Sequence, residues 1–390
     1  MGSLPIPTPS PSRLFEPLKL GNATLQHRLV MAPLTRFRAD ESHVIMPIAA
    51  THYSQRSCVP GTLLITEATF ISHRAGGYLN VPGIYTDEQI ASWKQVVDAV
   101  HSKGSFVYLQ LWALGRTANP EVASAEGIEI VSSSPTPVVK SDSSSHGSGS
   151  SAPTPVPREI RTDEIQGWVD DYVTAARNAV HKAGFDGVEI HAANGYLIDQ
   201  FTQDVCNVRT DEYGGSIPNR SRFGLEVARA VAAAVGAHRT GIRLSPFSTF
   251  QGMKMREPLP QFLNFMDGLK DLGLAYVHLV EARISGNADV ETTENIKPLV
   301  TAWGNASPVL IAGGFTPASA RRAVDEEYKD QDIAIVFGRH FISTPDLVFR
   351  IANNLPLTPY NRDTFYTPKS EVGYIDYPFS EEFVQAQGRL

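Results

Sequence analysis

The chain has 390 residues, room for one large α/β barrel of about 250 residues plus insertions. Its 34 Lys and Arg face 41 Asp and Glu, a net charge of −7 spread along the sequence, which argues against a general nucleic-acid or anionic-membrane binder. Only Cys58 and Cys206 occur, without a CxxC or a Cys/His cluster, so no disulfide framework or structural zinc is expected and a reducing, cytoplasmic setting fits.

Residues 1–13 are rich in Pro and Ser and lack the apolar core of a secretion signal; they read as a disordered tail. Ile6 stands where a myristoylation signal wants Ser or Thr. No apolar run approaches the roughly 18 residues of a membrane helix.

Eight short β-like runs follow: Leu29–Pro33, Thr62–Glu67, Ser105–Leu111, Gly187–His191, Thr240–Leu244, Tyr276–Val280, Val309–Ala312 and Ile333–Phe337. Most are continuous in Val, Ile, Leu and Ala, as strands buried on both faces of a parallel sheet are. Helical patterns separate them. Thr86-Asp-Glu-Gln89 reads as a capping box, with Ile90, Trp93, Val96, Val97 and Val100 on one face and Gly104 as a stop. Thr162 reads as the cap of a helix ended by Gly184. Further helices are expected over Ser221–Val235, Leu259–Leu272, Asn295–Trp303, Pro317–Asp325 and Pro345–Asn353.

Eight strands alternating with helices predict an α/β fold, a single-domain (β/α)8 TIM barrel over residues 14–380. A doubly wound sheet would want GxGxxG after its first strand, and Pro33-Leu-Thr-Arg36 is not that. Residues 132–157 form a low-complexity Ser/Pro-rich insert in an extended loop between the third strand and its helix. Residues 381–390 read as a C-terminal tail.

The working face of such a barrel lies at the strand C-termini. There the sequence places Thr35, Ala68, Gln110 with Trp112, His191 with Asn194, Arg243, Glu281, Gly313-Gly314 and Gly338-Arg339. The set is short of carboxylates, which argues against glycoside hydrolysis and metal hydrolysis. HxxN is a poor metal pair because a neutral amide binds zinc weakly. Gly-rich ends on the seventh and eighth strands suit a phosphate. His191 and Asn194 can both donate to one oxygen, and Tyr196 keeps its proton at neutral pH. Together they suit polarising a carbonyl and delivering a proton beside it.

Several stretches resemble the old yellow enzyme family of FMN-dependent ene-reductases, its fungal members especially. They include Met31-Ala-Pro-Leu-Thr-Arg36, Leu64-Ile-Thr-Glu-Ala68, Gln110-Leu-Trp112, Val188-Glu-Ile-His191-Ala-Ala-Asn194-Gly-Tyr196, Arg209-Thr-Asp-Glu-Tyr-Gly-Gly-Ser216, Arg243-Leu-Ser-Pro246, Phe337-Gly-Arg339 and Gly373-Tyr-Ile-Asp-Tyr-Pro378. The likeness spans about residues 13 to 380.

The resemblance implies a tightly bound, non-covalent FMN, with NADPH or NADH as reductant. Thr35 would bond the flavin C4 carbonyl, Gln110 its pyrimidine edge, and Arg243 its N1 and C2 carbonyl; Pro33 and Ala68 would touch the ring. Gly313, Gly314, Gly338 and Arg339 would hold the phosphate. His191 and Asn194 would grip the carbonyl of an activated alkene, His191 also bordering the flavin, and Tyr196 would protonate its α-carbon. Tyr78, Trp112, Phe247, Phe250, Phe365 and Tyr366 would line the substrate side. Ala68 stands where some relatives have Gly. Arg36-Phe-Arg38 and Ser54-Gln-Arg56 lean toward fungal members of alkaloid pathways. The alternative is a flavin-containing isomerase or cyclase without net reduction. A monomer or homodimer without nucleic-acid or membrane partners is expected.

Overall fold

The computed structural model describes residues 12–138, 155–285, 288–289, 292 and 294–388. The first eleven residues of the expected tail and the middle of the Ser-rich insert lie outside them. Ser12 and Arg13, read as tail, belong to the fold. The Ser12 hydroxyl accepts from the Leu14 N–H at 3.2 Å, and the Arg13 backbone N–H donates to Asp325 at 2.9 Å.

Eight parallel strands close into a barrel: β1 (Leu29–Met31), β2 (Leu63–Phe70), β3 (Phe106–Trp112), β4 (Gly187–Ala192), β5 (Thr240–Leu244), β6 (Tyr276–Val280), β7 (Val309–Ala312) and β8 (Ile333–Phe337). Neighbours follow chain order, and β8 pairs back onto β1, Ile335 with Leu29 and Phe337 with Met31. The expected TIM barrel is the one observed. Its strands are buried almost throughout, because outward side chains meet helices and inward ones meet each other.

The lower end of the barrel is shut by a hairpin, Leu18–Leu20 with Ala23–Leu25. Its Leu20 and Leu25 are fully buried in one cluster with Val30, Leu63, Ile65 and Leu310; each such leucine contributes roughly 1.5–3 kcal/mol. The turn needs Gly21, at φ +52°, since a Cβ there would sit 1.9 Å from the His238 carbonyl oxygen. Ligands therefore reach the barrel from the strand C-termini.

The capping box at Thr86 and Gln89 forms as read, starting helix Asp87–His101. Thr162 does not cap its helix. A short 3-10 turn, Thr162–Glu164, comes first, the Thr162 hydroxyl donates to Asp211 at 2.7 Å, and the Glu164 carboxylate takes the Arg161 N–H. Helix Ile165–Arg177 then passes into a π-turn, Asn178–Ala183, ended by Gly184. The helix expected from Ser221 begins earlier, at Ile217, capped by Ser216. Short helices at Ile48–Arg56, Pro120–Glu126, Leu197–Thr202 and Arg339–Ser343 were not legible as patterns.

The supposed C-terminal tail carries helix Glu381–Gln387, capped by Ser380. Its Phe383 packs on Phe349 and Phe379, both at 5.2 Å between rings. The start of the insert is also built in. Val131–Ser132 pairs with Arg158–Glu159, and Ser132, Ser133 and Ser134 are buried. The Ser132 and Ser133 hydroxyls donate to the Gln200 side chain and backbone at 2.9 and 2.7 Å. Of the low-complexity stretch, residues 139–154 lie outside the described residues.

Candidate active site

A cleft opens at the C-terminal ends of the strands, with about 1530 Å³ of space, part of it open to solvent. Pro33, Thr35, Ala68, Gln110, His191, Arg243, Gly313, Gly314, Gly338 and Arg339 line it, as do Tyr78, Trp112, Asn194, Tyr196, Phe250, Phe365 and Tyr366.

Phe247 is not among the lining residues. A turn in which the Ser248 N–H donates to the Ser245 carbonyl follows β5, and Phe247 packs into the main apolar core. Phe250 is the aromatic of that loop that reaches the cleft.

Local irregularities aim several of these groups. β2 shifts register against β3 between Ile65 and Ala68; such a bulge re-aims the side chains beyond it. Ala68 then faces the cleft while Glu67 turns under the loop after β1, accepting the Arg36 N–H at 3.3 Å. Arg36 donates to the carbonyls of Phe365 and Gly373 at 2.9 and 2.7 Å, and Arg38 to that of Ser370 at 2.9 Å. Two guanidinium groups thus pin the C-terminal segment that brings Phe365 and Tyr366 to the cleft. Arg36 and Phe37 line it as well.

At the end of β4, Asn194 and Gly195 both take left-handed backbone, φ 56° and 77°. Three partners lock the turn. Asn194 N–H donates to the Ser245 hydroxyl at 2.7 Å, Gly195 N–H to Asp199 at 2.8 Å, and the Gln200 amide donates to the Gly195 carbonyl at 2.8 Å. This brings Tyr196 edge-on to Trp112 and His191, rings 4.7 and 4.9 Å apart. Burial, then the neighbouring Tyr78 and Tyr366, holds the Tyr196 phenol well above its usual pKa, so it stays protonated. Burial, then Arg243 and His278, holds His191 well below its usual value, so the imidazole is neutral. Gln251 hydrogen-bonds both Tyr78 and Tyr196. Sequence reasoning missed Asp199, Gln200 and Gln251, and no spacing rule points to them.

At the opposite edge, Gly313 has φ 146° and Gly314 φ 60°. A Cβ on Gly313 would come within 2.5 Å of the Glu281 Cβ, so this loop must be glycine. Arg283 donates to the Gly313 carbonyl, and Arg339 donates to the Tyr360 hydroxyl at 3.3 Å. His340, a further lining residue, has a buried Nδ1 without a partner among the described residues.

Buried polar atoms on the cleft without partners among the described residues test which group belongs there: Trp112 Nε1, His191 Nδ1, Arg243 Nε and His340 Nδ1. Buried groups of this kind normally have partners. Donors at one end, a glycine cradle with arginine at the other, and flat aromatic walls between fit a ring joined to a phosphate. Fold and site together define a TIM-barrel flavin oxidoreductase.

Residues 13–358 match the family described as NADH:flavin oxidoreductase / NADH oxidase. A chanoclavine-I aldehyde reductase of Penicillium roqueforti is 58% identical over 376 residues, covering 96% of this chain and 98% of that one. A probable inactive reductase of Epichloe festucae var. lolii is 53% identical over 381 residues, covering 96% and 97%. The solved old yellow enzyme from Pichia sp. AKU4542 superposes with a TM-score of 0.86 at 38% identity, covering 95% of this chain and 94% of that one. The chain belongs to the NADH:flavin oxidoreductase / NADH oxidase family, as a fungal member of old yellow enzyme type. It is an enzyme with non-covalently bound FMN and NAD(P)H as reductant, acting on small molecules by ene-reduction. No described helix is long and apolar enough to cross a membrane.

Proposed function

We propose that this enzyme reduces the C=C bond of α,β-unsaturated aldehydes or ketones in a fungal secondary pathway of alkaloid type. The observation that carries the chemistry is the grouping of a neutral His191 and a protonated Tyr196, rings 4.9 Å apart, on one cleft with Asn194. The aldehyde-reductase name of the Penicillium relative supports the substrate class.

Thr35, Gln110 and Arg243 would hold the flavin ring, beside Pro33 and Ala68, and the Gly313-Gly314 and Gly338-Arg339 turns would hold its phosphate. Bound there, FMN would supply hydride chemistry driven by NAD(P)H. His191 and Asn194 donate to the substrate carbonyl oxygen, making the β-carbon electron-poor. As negative charge grows on the oxygen, both donors strengthen like an oxyanion hole; one such donor is worth about 10²–10³ in rate. Tyr196 then gives its proton to the α-carbon, a general-acid step worth about 10²–10⁴. Gln251, itself hydrogen-bonded to Tyr78, orients the Tyr196 hydroxyl. Two buried, unpaired cysteines fit a reducing, cytoplasmic setting.

Tyr196→Phe tests the reading. Stopped-flow absorbance should show flavin reduction by NADPH unchanged and alkene turnover slowed by about 10² or more. Equal slowing of both half-reactions would remove Tyr196 from proton delivery. A product of unchanged mass would reveal isomerisation instead of reduction.

A further inference from the structure

Beneath the cleft, the barrel departs from its ordinary filling of branched apolar side chains. Gln110, Glu189 and His278 all point inward and are buried, with Glu189 and His278 at 0% exposure. Strand register brings them together. Gln110 pairs with Glu189 across β3 and β4, and His191, Arg243 and His278 pair across β4, β5 and β6.

The bonds run in one direction. The Gln110 amide nitrogen donates to Glu189 Oε1 at 2.7 Å, and His278 Nδ1 meets Glu189 Oε2 at 2.8 Å. An ionised carboxylate only accepts, so it commits the Gln110 nitrogen downward and leaves the amide carbonyl oxygen to the cleft. That orientation selects an N–H from whatever lies above. It also forces His278 to carry its proton on Nδ1, leaving Nε2, which has no partner among the described residues, as an acceptor.

Charge follows from the same geometry. Burial pushes the Glu189 carboxyl up, but His278, Arg243 and Gln110 outweigh it, so the group lies below its usual value and is ionised at neutral pH. Burial lowers His278, which is therefore neutral. Beside the cleft-lining Arg243 thus stands one negative charge, that of Glu189, sealed from water, where screening is weak.

We propose that Glu189, seated on His278, is a positioning residue for the flavin: it turns the Gln110 carbonyl to the ring and offsets the Arg243 charge, keeping the reduction potential below what Arg243 alone would set. The inference rests on FMN lying over Arg243, as in the function proposed above. Reduced flavin carries extra negative charge, so a nearby carboxylate disfavours it and a guanidinium favours it. Glu189 acts through Gln110 and through space, without touching the reacting atoms.

The test uses Glu189→Gln as holoenzyme. An amide still accepts from Gln110, but the charge is gone. Redox titration against reference dyes should show a positive shift of the FMN midpoint potential. Fluorescence titration should show the affinity ratio of reduced to oxidised FMN rising about tenfold or more. An unshifted midpoint in yellow, folded Glu189→Gln overturns the electrostatic half. Glu189→Asp, should Glu189→Gln not fold, keeps the charge but withdraws the oxygen from Gln110. It should bind FMN several-fold more weakly with a near-native midpoint, and unchanged affinity overturns the positioning half. Wild-type protein that takes up no FMN would instead sink the flavin reading itself.

Discussion

Replacing Gln200 by Leu probes what holds the Asn194–Tyr196 turn. Gln200 is fully buried on helix Leu197–Thr202. Its oxygen accepts from the Arg116 N–H at 3.2 Å and the Ser132 hydroxyl at 2.9 Å; its nitrogen donates to the carbonyls of Leu114 and Gly195 at 2.9 and 2.8 Å. Leu has similar bulk and none of these bonds, so three backbone groups lose this partner inside the protein. At about 1 kcal/mol each or more, the loss is about 3 kcal/mol. Unfolding entropy near 2.1 cal/mol/K per residue makes that a fall of roughly 4 °C in Tm for a chain of this size. The Gly195 carbonyl released, the turn no longer fixes Tyr196, and a shift of about 1 Å costs about 10² in turnover. Differential scanning calorimetry and steady-state alkene reduction measure both effects. A Gln200→Leu enzyme that keeps native turnover while its Tm falls would refute the clamp, leaving Gln200 only structural.

Other contacts of the fold make further outcomes measurable. Burial raises the Asp199 carboxyl to about 7, and that of Glu67 likewise. A folded value above the unfolded one means both favour the fold while protonated. That contribution is whole below about pH 4 and fades as pH rises through about 7. Urea midpoints should therefore drop between pH 5 and 8, and Asp199→Asn should flatten the drop; an unaltered slope would clear Asp199. Phe247→Ala should cost about 3 kcal/mol of stability with substrate KM unchanged, whereas Phe250→Ala should raise KM at near-native stability. The reverse pattern would restore Phe247 to the cleft. Arg339→Ala should weaken FMN binding about tenfold or more while leaving riboflavin binding unchanged. Equal loss for both ligands would show that Arg339 does not serve the phosphate.

Much of the site was legible because inward strand positions repeat every second residue. That rule places His191 on the cleft, and it equally places Glu189 on the same face two residues earlier. Phe247, by contrast, misled. An aromatic three residues past an active strand looks like a substrate wall, yet the turn at Ser245–Ser248 decides which way it points. Residues 381–387 looked like a tail because one buried Phe383 leaves no periodic trace, and only Phe349 and Phe379 reveal its docking place.

By itself the order of residues determined the eight-fold alternation, the barrel that follows from it, and the strand ends where polar groups gather. These are local matters, since runs of β-formers, caps and glycines act over a few neighbours. What tertiary structure alone decided is how those groups are aimed: Gln200 and Asp199 around Gly195, Arg36 and Arg38 on the C-terminal segment, Glu189 between Gln110 and His278. Each depends on hydrogen bonds whose partners meet only when the barrel closes, and no short-range pattern encodes that meeting.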